Sequence, residues 1–343
     1  MRWGLVLTMA AVVAFGLFAF ACAQPERRQN RRRLRITTGC FATAVAATLA
    51  LSVLQWNPQV ASVSVARPQG ATLAQVLALV KASNKIENVP ADLEPPVAVA
   101  VTKPLSNWGA SRAGSCGAAL DASTVPACVF GDTRATRTAV LYGDSHAQMW
   151  FDAIDDLAIR DGWKLVLLSK GACAASPIVG FLAASTAGGA RACKAWHPYV
   201  LKRINALDPE LLIVTQEVYA QPDGAQYTNG QWRRALAKLL REVHAKRTVV
   251  LGNIPLSFGP SCLERSTVTG CSTQRDAPAY RFTVAEQAAA QASGDQYVRT
   301  TPWFCAARCS PIIGHFNVYF DEAHVGLGYT EYLEGVLGQA LGL

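Results

Sequence analysis

From about residue 136 to the C-terminus, short apolar runs alternate with longer stretches in which apolar residues recur every three to four positions. The apolar runs predict buried strands at 138–142, 164–168, 211–214, 248–251 and 297–298. The amphipathic stretches predict helices at 146–159, 196–206, 231–244, 285–292 and 328–341. Strands that alternate with helices at this spacing predict an α/β fold with a doubly wound parallel sheet. Ligands of such sheets bind beyond the carboxyl ends of the strands, so we expect the functional residues there.

Two uncharged, apolar segments precede this region, at residues 3–25 and 36–66, and the second is most apolar at 40–54. Each can supply the roughly 20 residues that cross a bilayer. The loop between them, 26–35, contains six arginines, and clustered arginines mark a cytoplasmic loop. We therefore expect residues 1–56 to form a transmembrane helical hairpin with a cytoplasmic Arg-rich loop, and the rest of the chain to be exported.

A cleavable secretory signal is the alternative interpretation of the first segment. Met1 and Arg2 would form a short basic start, and Ala21-Cys22-Ala23 resembles a small-residue cleavage site. Cleavage there would leave the arginine cluster at a new exported N-terminus, ahead of a second apolar span, which favours the hairpin. Both interpretations export the residues that follow.

The positive charge of the chain is concentrated near its N-terminus. The 343 residues carry a formal net charge of +8 at pH 7, but residues 1–56 contain seven arginines and a single acidic residue. The remainder is nearly neutral, which excludes a globular basic protein that binds nucleic acid. With 51% hydrophobic and 16% charged residues, the sequence is also too apolar to be disordered.

Ten cysteines add a second indication of export. Cys22 and Cys40 lie in the apolar segments, and the other eight form an even set, which predicts disulfides in an oxidising compartment. Pairing of nearest neighbours gives Cys116–Cys128, Cys173–Cys193, Cys262–Cys271 and Cys305–Cys309. Other connectivities stay open at this point. Zinc ligation is the alternative, but the sequence contains no CxxC pair, so we expect no metal at the cysteines.

Residues 57–110 are rich in proline, alanine and valine. Residues 90–104 are typical of an extended linker. Four apolar residues recur at helical spacing and predict a short amphipathic helix: Leu73, Val76, Leu77 and Val80. We therefore expect an exported linker at 57–110, followed by the α/β domain at 111–343.

Three residues carry the candidate chemistry. Ser145 lies between the first predicted strand and the first predicted helix, under a helix N-terminus that favours negative charge. A serine there is a good nucleophile if a base reaches it; the alternative is an ordinary helix N-cap. Asp321 and His324 are three residues apart, a spacing at which the carboxylate can orient the imidazole as a base, the alternative being a capping aspartate beside a surface histidine. The order Ser, Asp, His, after the first and last strands, would bring all three to one edge of the sheet.

The residues around these positions resemble the SGNH, or GDSL-like, hydrolases. Segments 143–146, Gly-Asp-Ser-His, and 321–324, Asp-Glu-Ala-His, are similar to the first and last blocks of that family. Further features resemble the exported SGNH domain fused to bacterial acyltransferase-3 membrane proteins: the segment 128–132, the loop at Cys173, the segment 252–255 before Cys262, and the pair Cys305 and Cys309. The segment 23–28 and its apolar neighbours resemble the last part of that membrane domain, whose other helices we expect upstream of Met1.

The resemblance implies a serine acyltransferase or esterase that transfers or removes O-acyl groups, such as O-acetyl, on a cell-envelope polysaccharide. Ser145 would take the acyl group, His324 would move the proton, and Asp321 would orient His324.

The resemblance also implies an oxyanion hole, and here the sequence departs from the family. Gly171 matches the glycine donor, but the family's asparagine is missing, because residues 215–218 read Thr-Gln-Glu-Val. Gln216 is a conceivable substitute, and Asn253 is expected to be a turn residue. Loss of one oxyanion donor costs roughly 3 kcal/mol of activation energy.

These inferences define an expected location and expected partners. We expect a protein of the bacterial inner (cytoplasmic) membrane whose catalytic domain lies in the periplasm or outside the cell. Its expected partners are the membrane, an envelope polysaccharide acceptor and, unless it works alone as an esterase, a separate acyltransferase membrane protein as acyl donor. The sequence has no Walker or dinucleotide-binding glycine motif, so no cofactor is expected.

Two other functions stay open. The missing asparagine favours a catalytically poor glycan-binding or scaffold module that partners a separate membrane acyltransferase. A nonfunctional remnant of a split gene is the other alternative. Two residues also keep two roles each: His146 either lines the site or packs, and Trp108 either stacks on a sugar or packs in the core.

Overall fold

A seven-stranded β-sheet forms the centre of the part of the chain that the structure describes. The computed structural model describes residues 70–217, 219–275 and 280–343. The strands of this part of the chain are β1 (Gly117–Ala118), β2 (Val129–Gly131), β3 (Thr138–Gly143), β4 (Lys164–Lys170), β5 (Leu211–Thr215), β6 (Thr248–Leu251), β7 (Thr273–Gln274), β8 (Gln296–Val298), β9 (Arg308–Cys309), β10 (Ile312–Ile313) and β11 (Phe316–Asn317).

The large sheet has the strand order β1-β4-β3-β5-β6-β8, and all of these neighbours are parallel. β2 pairs with β4 in the antiparallel direction. The pairs β7–β9 and β10–β11 form two small antiparallel sheets. The chain moves outward from β3 to β4 and then back across to β5, so a topological switch point lies beside β3, where ligands of such sheets bind.

Helices cover both faces of the large sheet. They are α1 (Leu73–Ser83), α2 (Val97–Thr102), α3 (Ser145–Asp161), α4 (Phe181–Ala184), α5 (Gly189–Leu207), α6 (Asn229–Glu242), α7 (Tyr280–Ser293), α8 (Leu327–Tyr332) and α9 (Glu334–Leu341). Short 3₁₀ turns occur at Pro104–Asn107, Gly114–Cys116, Pro260–Glu264 and Thr301–Trp303.

The strands are apolar on both faces because each face has its own core. Ala139 and Leu141 of β3 belong to a core shared with α3, α8 and α9. Val140 and Tyr142 belong to a second core with α5, α6 and α7. A strand buried on both sides needs no polar alternation, which is why these strands appear as continuous apolar runs in the sequence. The predicted α/β fold with a parallel sheet is confirmed.

The central strands end level with one another. Gly143 at the end of β3 pairs with Ser169 of β4 on one side and with Thr215 of β5 on the other. The residues that follow β3, β4 and β5 therefore emerge at one edge of the sheet.

The five predicted strands and the five predicted helical regions are all present. α5 and α7 begin earlier than predicted, at Gly189 and Tyr280, and the C-terminal region differs in a further way. The region predicted as one helix, 328–341, is divided into α8 and α9 at Leu333. The carbonyl of Tyr332 accepts a hydrogen bond from the backbone N–H of Ala71 (3.0 Å), and a Cβ on Gly335 would collide with the Gly70 carbonyl. The backbone of Gly70 and Ala71 thus packs against the chain at the point where α8 ends and α9 begins.

Part of the segment predicted as a linker packs into the domain. The predicted amphipathic helix is present as α1, and its Val76 and Val80 are buried in the core shared with α3. The Gly109 carbonyl accepts a hydrogen bond from the backbone N–H of Asp152 in α3 (2.9 Å). The predicted boundary at residue 110 therefore lies inside one structural unit, Pro68–Leu343. Proline-rich composition suggests a linker, whereas these contacts are long-range and leave no local pattern.

The described residues contain four disulfides, which join the nearest-neighbour pairs predicted from the sequence: Cys116–Cys128, Cys173–Cys193, Cys262–Cys271 and Cys305–Cys309. Structural disulfides form in oxidising compartments. They support an extracytoplasmic location for this domain.

The predicted transmembrane hairpin, residues 1–56, lies outside the described residues. Within 70–217, 219–275 and 280–343, no helix combines the length and the apolarity that crossing a bilayer requires.

Replacement of Gly143 by alanine should destabilise the domain. A Cβ at this position would lie 2.1 Å from the Thr215 carbonyl oxygen, so β3 and β5 must move apart. We expect a loss of about 3 kcal/mol in the free energy of unfolding, measured by chemical denaturation. Gly328→Ala is the control, since its Cβ would meet nothing closer than 3.8 Å. Equal stability of the two variants would contradict this close strand packing.

Candidate active site

Ser145 stands where β3 turns into α3. β3 ends at Gly143, Asp144 caps the helix, and α3 begins at Ser145 itself. The Asp144 carboxylate accepts a hydrogen bond from the backbone N–H of His146 (2.8 Å), as an N-cap does. Capping is therefore performed by Asp144. The half-buried Ser145 hydroxyl is left at the edge of the sheet, beside the N-terminus of a 17-residue helix.

A short turn fixes Asp321 against His324. One carboxylate oxygen of Asp321 accepts hydrogen bonds from the backbone N–H groups of Ala323 and His324, both at 2.8 Å. Its two oxygens also lie 2.9 and 2.8 Å from Nδ1 of His324. These contacts hold the carboxylate against Nδ1, which sets the tautomer with the proton on Nδ1.

The structure brings the three predicted residues together. His324 Nε2 lies 2.7 Å from Ser145 Oγ, although the two residues are 179 positions apart in the chain. Asp321, His324 and Ser145 thus form a continuous chain of hydrogen bonds. This is the geometry in which an imidazole removes the proton of a nucleophilic hydroxyl.

Asp321 and His324 each shift the pKa of the other toward its charged form. Burial would raise the pKa of Asp321, but the hydrogen bonds and charge of His324 outweigh burial and lower that pKa below its usual value. Burial would lower the pKa of His324, but the hydrogen bond and charge of Asp321 outweigh it and raise that pKa. The site therefore stabilises an imidazolium beside a carboxylate, the ion pair formed when His324 accepts a proton.

The two oxyanion candidates have different surroundings. Gly171 directly follows β4 at the edge that also carries Ser145, and its role stays a prediction. Gln216 is buried, and its side-chain oxygen accepts the N–H of Ser176 (2.9 Å) while its amide donates to Glu286 (3.4 Å). Gln216 is thus committed to a buried network and does not substitute for the missing asparagine.

Glu286 makes this network sensitive to pH. Its carboxyl group is fully buried and accepts from Trp232 Nε1 (3.1 Å), and burial raises the pKa of Glu286 to about 7. Between that value and the ordinary 4.5, the unfolded chain binds fewer protons than the folded one, so the free energy of unfolding falls as pH rises.

We therefore expect Glu286→Gln to flatten the pH dependence of stability between about pH 5 and 7. At pH 7.5 the variant should be more stable than the wild type, by an amount on the order of 2 kcal/mol. Urea denaturation across this pH range measures the effect. Glu264→Gln, at an exposed glutamate, should leave the pH profile unchanged. A wild-type free energy of unfolding that rises between about pH 5 and 7 would contradict the raised pKa of Glu286.

Asp144 links the turn that carries Ser145 to the segment after β5, and this link was not predicted from the sequence. Its second carboxylate oxygen accepts hydrogen bonds from the backbone N–H of Glu217 (2.8 Å) and from the hydroxyl of Tyr219 (3.0 Å). Burial raises the pKa of Asp144 to about 6, although these hydrogen bonds oppose the rise. Asp144 is thus a positioning residue for the turn that carries Ser145.

Glu217 and His146 meet at the triad. A carboxylate oxygen of Glu217 and a ring nitrogen each of His146 and His324 lie within 4.8 Å of one another. Burial raises the pKa of Glu217 to about 7, and burial lowers the pKa of His146 well below its usual value. The fully buried ring of His146 lies 5.3 Å from that of His324, centroid to centroid, so His146 packs beside the site. Glu217 could have been found from its position just beyond β5, since β5 is the neighbour of β3.

Aromatic rings flank the imidazole. The centroid of Trp108 lies 5.3 Å from that of His324 and 5.0 Å from that of Phe320. The half-buried Trp108 thus borders the site. It belongs to the segment predicted as a linker, so no signal in the sequence placed it here.

Comparisons with known proteins agree with this geometry. The family profile of the SGNH domain (fused to AT3 domains) matches residues 115–337, which include the triad and all eight disulfide cysteines. The solved periplasmic domain of a lipopolysaccharide acetyltransferase from Salmonella ser. Paratyphi A is similar to this chain, with 12% identity, 80% of this chain and 100% of that chain covered, and a TM-score of 0.50. At this identity the similarity shows the fold alone. No curated protein matches the chain.

The profile covers well over half of the chain, and it contains both sequence blocks that meet at Ser145. The chain belongs to the family of SGNH domains that are fused to AT3 domains.

Proposed function

We propose that this chain is a serine-dependent O-acyltransferase or esterase that acts on acyl groups, acetyl in the first place, of cell-envelope polysaccharide. The observation that carries the proposal is the hydrogen-bonded chain Asp321–His324–Ser145 at the carboxyl edge of a parallel sheet. A triad in this geometry activates a hydroxyl for acyl transfer.

In the first half-reaction Ser145 Oγ attacks the acyl carbonyl while His324 Nε2 takes the serine proton. Asp321 keeps the proton of Nδ1 in place and stabilises the imidazolium. When the tetrahedral intermediate collapses, the bond to the donor's oxygen breaks and His324 returns the proton to that oxygen. The product is an acyl ester on Ser145 and a free alcohol.

In the second half-reaction an acceptor hydroxyl attacks the acyl-enzyme. His324 takes the acceptor's proton and gives it back to Ser145 Oγ as the ester bond breaks. A sugar hydroxyl as acceptor gives an O-acylated polysaccharide, and water gives a free carboxylic acid. The same three residues thus serve a transferase and an esterase.

The negative charge of each tetrahedral intermediate falls at the N-terminus of α3. The backbone N–H of Ser145 at the start of this helix is the first oxyanion donor. We assign the second donor to the backbone N–H of Gly171, which follows the neighbouring strand. Because Gln216 is engaged elsewhere, this hole has one donor fewer than the family pattern.

The substrate class rests on the family and on the structural relative. SGNH domains of this family are fused to AT3 domains, and the similar structure is the periplasmic domain of a lipopolysaccharide acetyltransferase. We propose a periplasmic or external location, with residues 1–56 as the anchor in the inner membrane, and a separate membrane acyltransferase as acyl donor. The four disulfides support the export.

The test uses the purified full chain in mild detergent with envelope polysaccharide. One reaction holds O-acetylated polysaccharide alone, and another holds the deacetylated polysaccharide with an aryl acetate as donor. Proton NMR counts the O-acetyl groups on the sugar. Loss of acetyl in the first reaction identifies an esterase, and gain in the second identifies a transferase.

Saturable binding of the polysaccharide without any change in acetylation, in folded protein, would overturn the catalytic proposal. That outcome would favour the glycan-binding or scaffold alternative.

A further inference from the structure

We propose that His146, Glu217 and His324 form a binding site for a divalent metal ion of zinc-like chemistry, and that an ion there blocks the serine site. Two imidazoles and one carboxylate are a donor set that zinc uses in proteins. Their donor atoms lie within 4.8 Å of one another. Tetrahedral zinc holds ligand atoms roughly 3.4 Å apart, so rotation of the Glu217 carboxylate and small side-chain shifts close the site.

His146 is the independent indication of a ligand. Its side chain is fully buried, and neither ring nitrogen meets hydrogen-bond geometry with a described residue, although the Ala323 backbone lies close to the ring. A buried polar group without a partner is costly, and in native proteins such a group often serves a bound ion or water. A metal ion beside His324 and Glu217 would satisfy one nitrogen of His146 directly.

His324 is already prepared as a metal ligand. Its Nδ1 faces both oxygens of Asp321, so the lone pair available to an ion is on Nε2. A carboxylate that holds the far nitrogen of a coordinating imidazole is the usual outer-shell partner in zinc sites, and it raises the basicity of the ligand. Asp321 would fill this role without moving.

The charge of the surroundings favours a cation. Besides Glu217, the carboxylates of Asp144 and Asp321 interact electrostatically with this cluster. Asp144 is held by hydrogen bonds from the backbone N–H groups of His146 and Glu217, so it is fixed beside two of the ligands. A divalent ion would neutralise part of this concentrated negative charge.

Occupation of the site excludes catalysis. An ion on Nε2 takes the lone pair that accepts the proton of Ser145 and displaces the 2.7 Å contact. This consequence rests on the proposed function, whereas the binding of the ion does not. Inhibition should be reversible, because no covalent bond to carbon is made or broken.

Calorimetric titration of the EDTA-treated full chain with zinc chloride tests the site. We expect binding of a single ion per chain, weakened at least about tenfold in His146→Gln and in Glu217→Gln. Ser145→Ala should bind zinc at least as tightly as the wild type, because the competing hydrogen bond is lost. His244→Gln, at an exposed histidine, is the control and should bind like the wild type. Cobalt(II) should give the visible absorption of a tetrahedral site in the wild type.

The same samples separate this proposal from the catalytic one. Zinc should slow labelling of the wild-type serine by a fluorophosphonate, and EDTA should restore it, a readout that needs no variant. No zinc binding by the wild type, or binding unchanged in both ligand variants, overturns the metal site. Labelling without zinc binding leaves the proposed function intact, and zinc binding without labelling removes the proposed function but leaves the site.

Discussion

Replacement of Ser145 by alanine should lower kcat for a short-chain aryl acetate by at least about 10⁴-fold. The hydroxyl is the atom that would form the acyl bond; its oxygen lies 2.7 Å from His324 Nε2 and also contacts the Tyr219 hydroxyl. The half-buried side chain contributes little to packing. The thermal unfolding midpoint should therefore stay within a few degrees of the wild-type value.

Ser185→Ala is the matched control. Ser185 is exposed, and its hydroxyl donates only to the Leu182 carbonyl nearby in the chain. Turnover in this variant should equal that of the wild type. If Ser145→Ala retained full activity in a folded protein, the hydrolysis would come from another group and the triad would have no role in it.

Replacement of Asp321 by asparagine should lower kcat by about 10³- to 10⁴-fold. The asparagine side-chain oxygen can still accept the two backbone N–H groups at 2.8 Å, so the turn is retained. Its NH₂ group, however, faces Nδ1 and favours the tautomer with the proton on Nε2, which cannot accept the serine proton. The imidazolium also loses its neighbouring negative charge, so the pKa of His324 should fall. NMR titration of the ring detects that fall.

Glu322→Gln provides the control for charge. Glu322 follows Asp321 in the sequence and is exposed. Its replacement by glutamine removes the same negative charge, but Glu322 is not part of the hydrogen-bonded chain. We expect its kcat to stay within about twofold of the wild type. A similar loss in both variants would show that net charge, rather than orientation of His324, governs the rate.

The sheet and the triad could be predicted because their signals are local. β5 is buried throughout, so its apolar run is uninterrupted. Ser145 follows a strand and begins a helix, and Asp321 lies within three residues of His324. Parallel topology then brings these two short segments to the same edge. The nearest-neighbour disulfides were predictable for the same reason, since each closes a short segment of chain.

The rest of the site depends on contacts between distant segments. Trp108 reaches His324 because the segment around it is fastened to α3, where the Arg112 guanidinium meets Asp156 at 2.7 Å. Ser111 also donates to Asp152 of α3 (2.6 Å). These bonds span about 40 residues and follow no periodicity.

The directions of the side chains that follow β5 could not be predicted from the sequence either. Gln216 and Glu217 are neighbours, yet Gln216 turns into the Glu286 network while Glu217 faces the triad. The sequence left Gln216 open as a substitute for the missing asparagine. The choice between them is made by Asp144, which binds the backbone N–H of Glu217 and sets the direction of the loop.

The site of covalent modification by a fluorophosphonate tests the proposed role of Ser145 most directly. The purified full chain is treated with the probe, and intact mass and peptide mapping locate the adduct. We expect one adduct per chain, on Ser145, and its loss in Ser145→Ala and His324→Ala. Folded protein that gains no adduct, or gains it on another serine, would contradict a serine nucleophile at position 145.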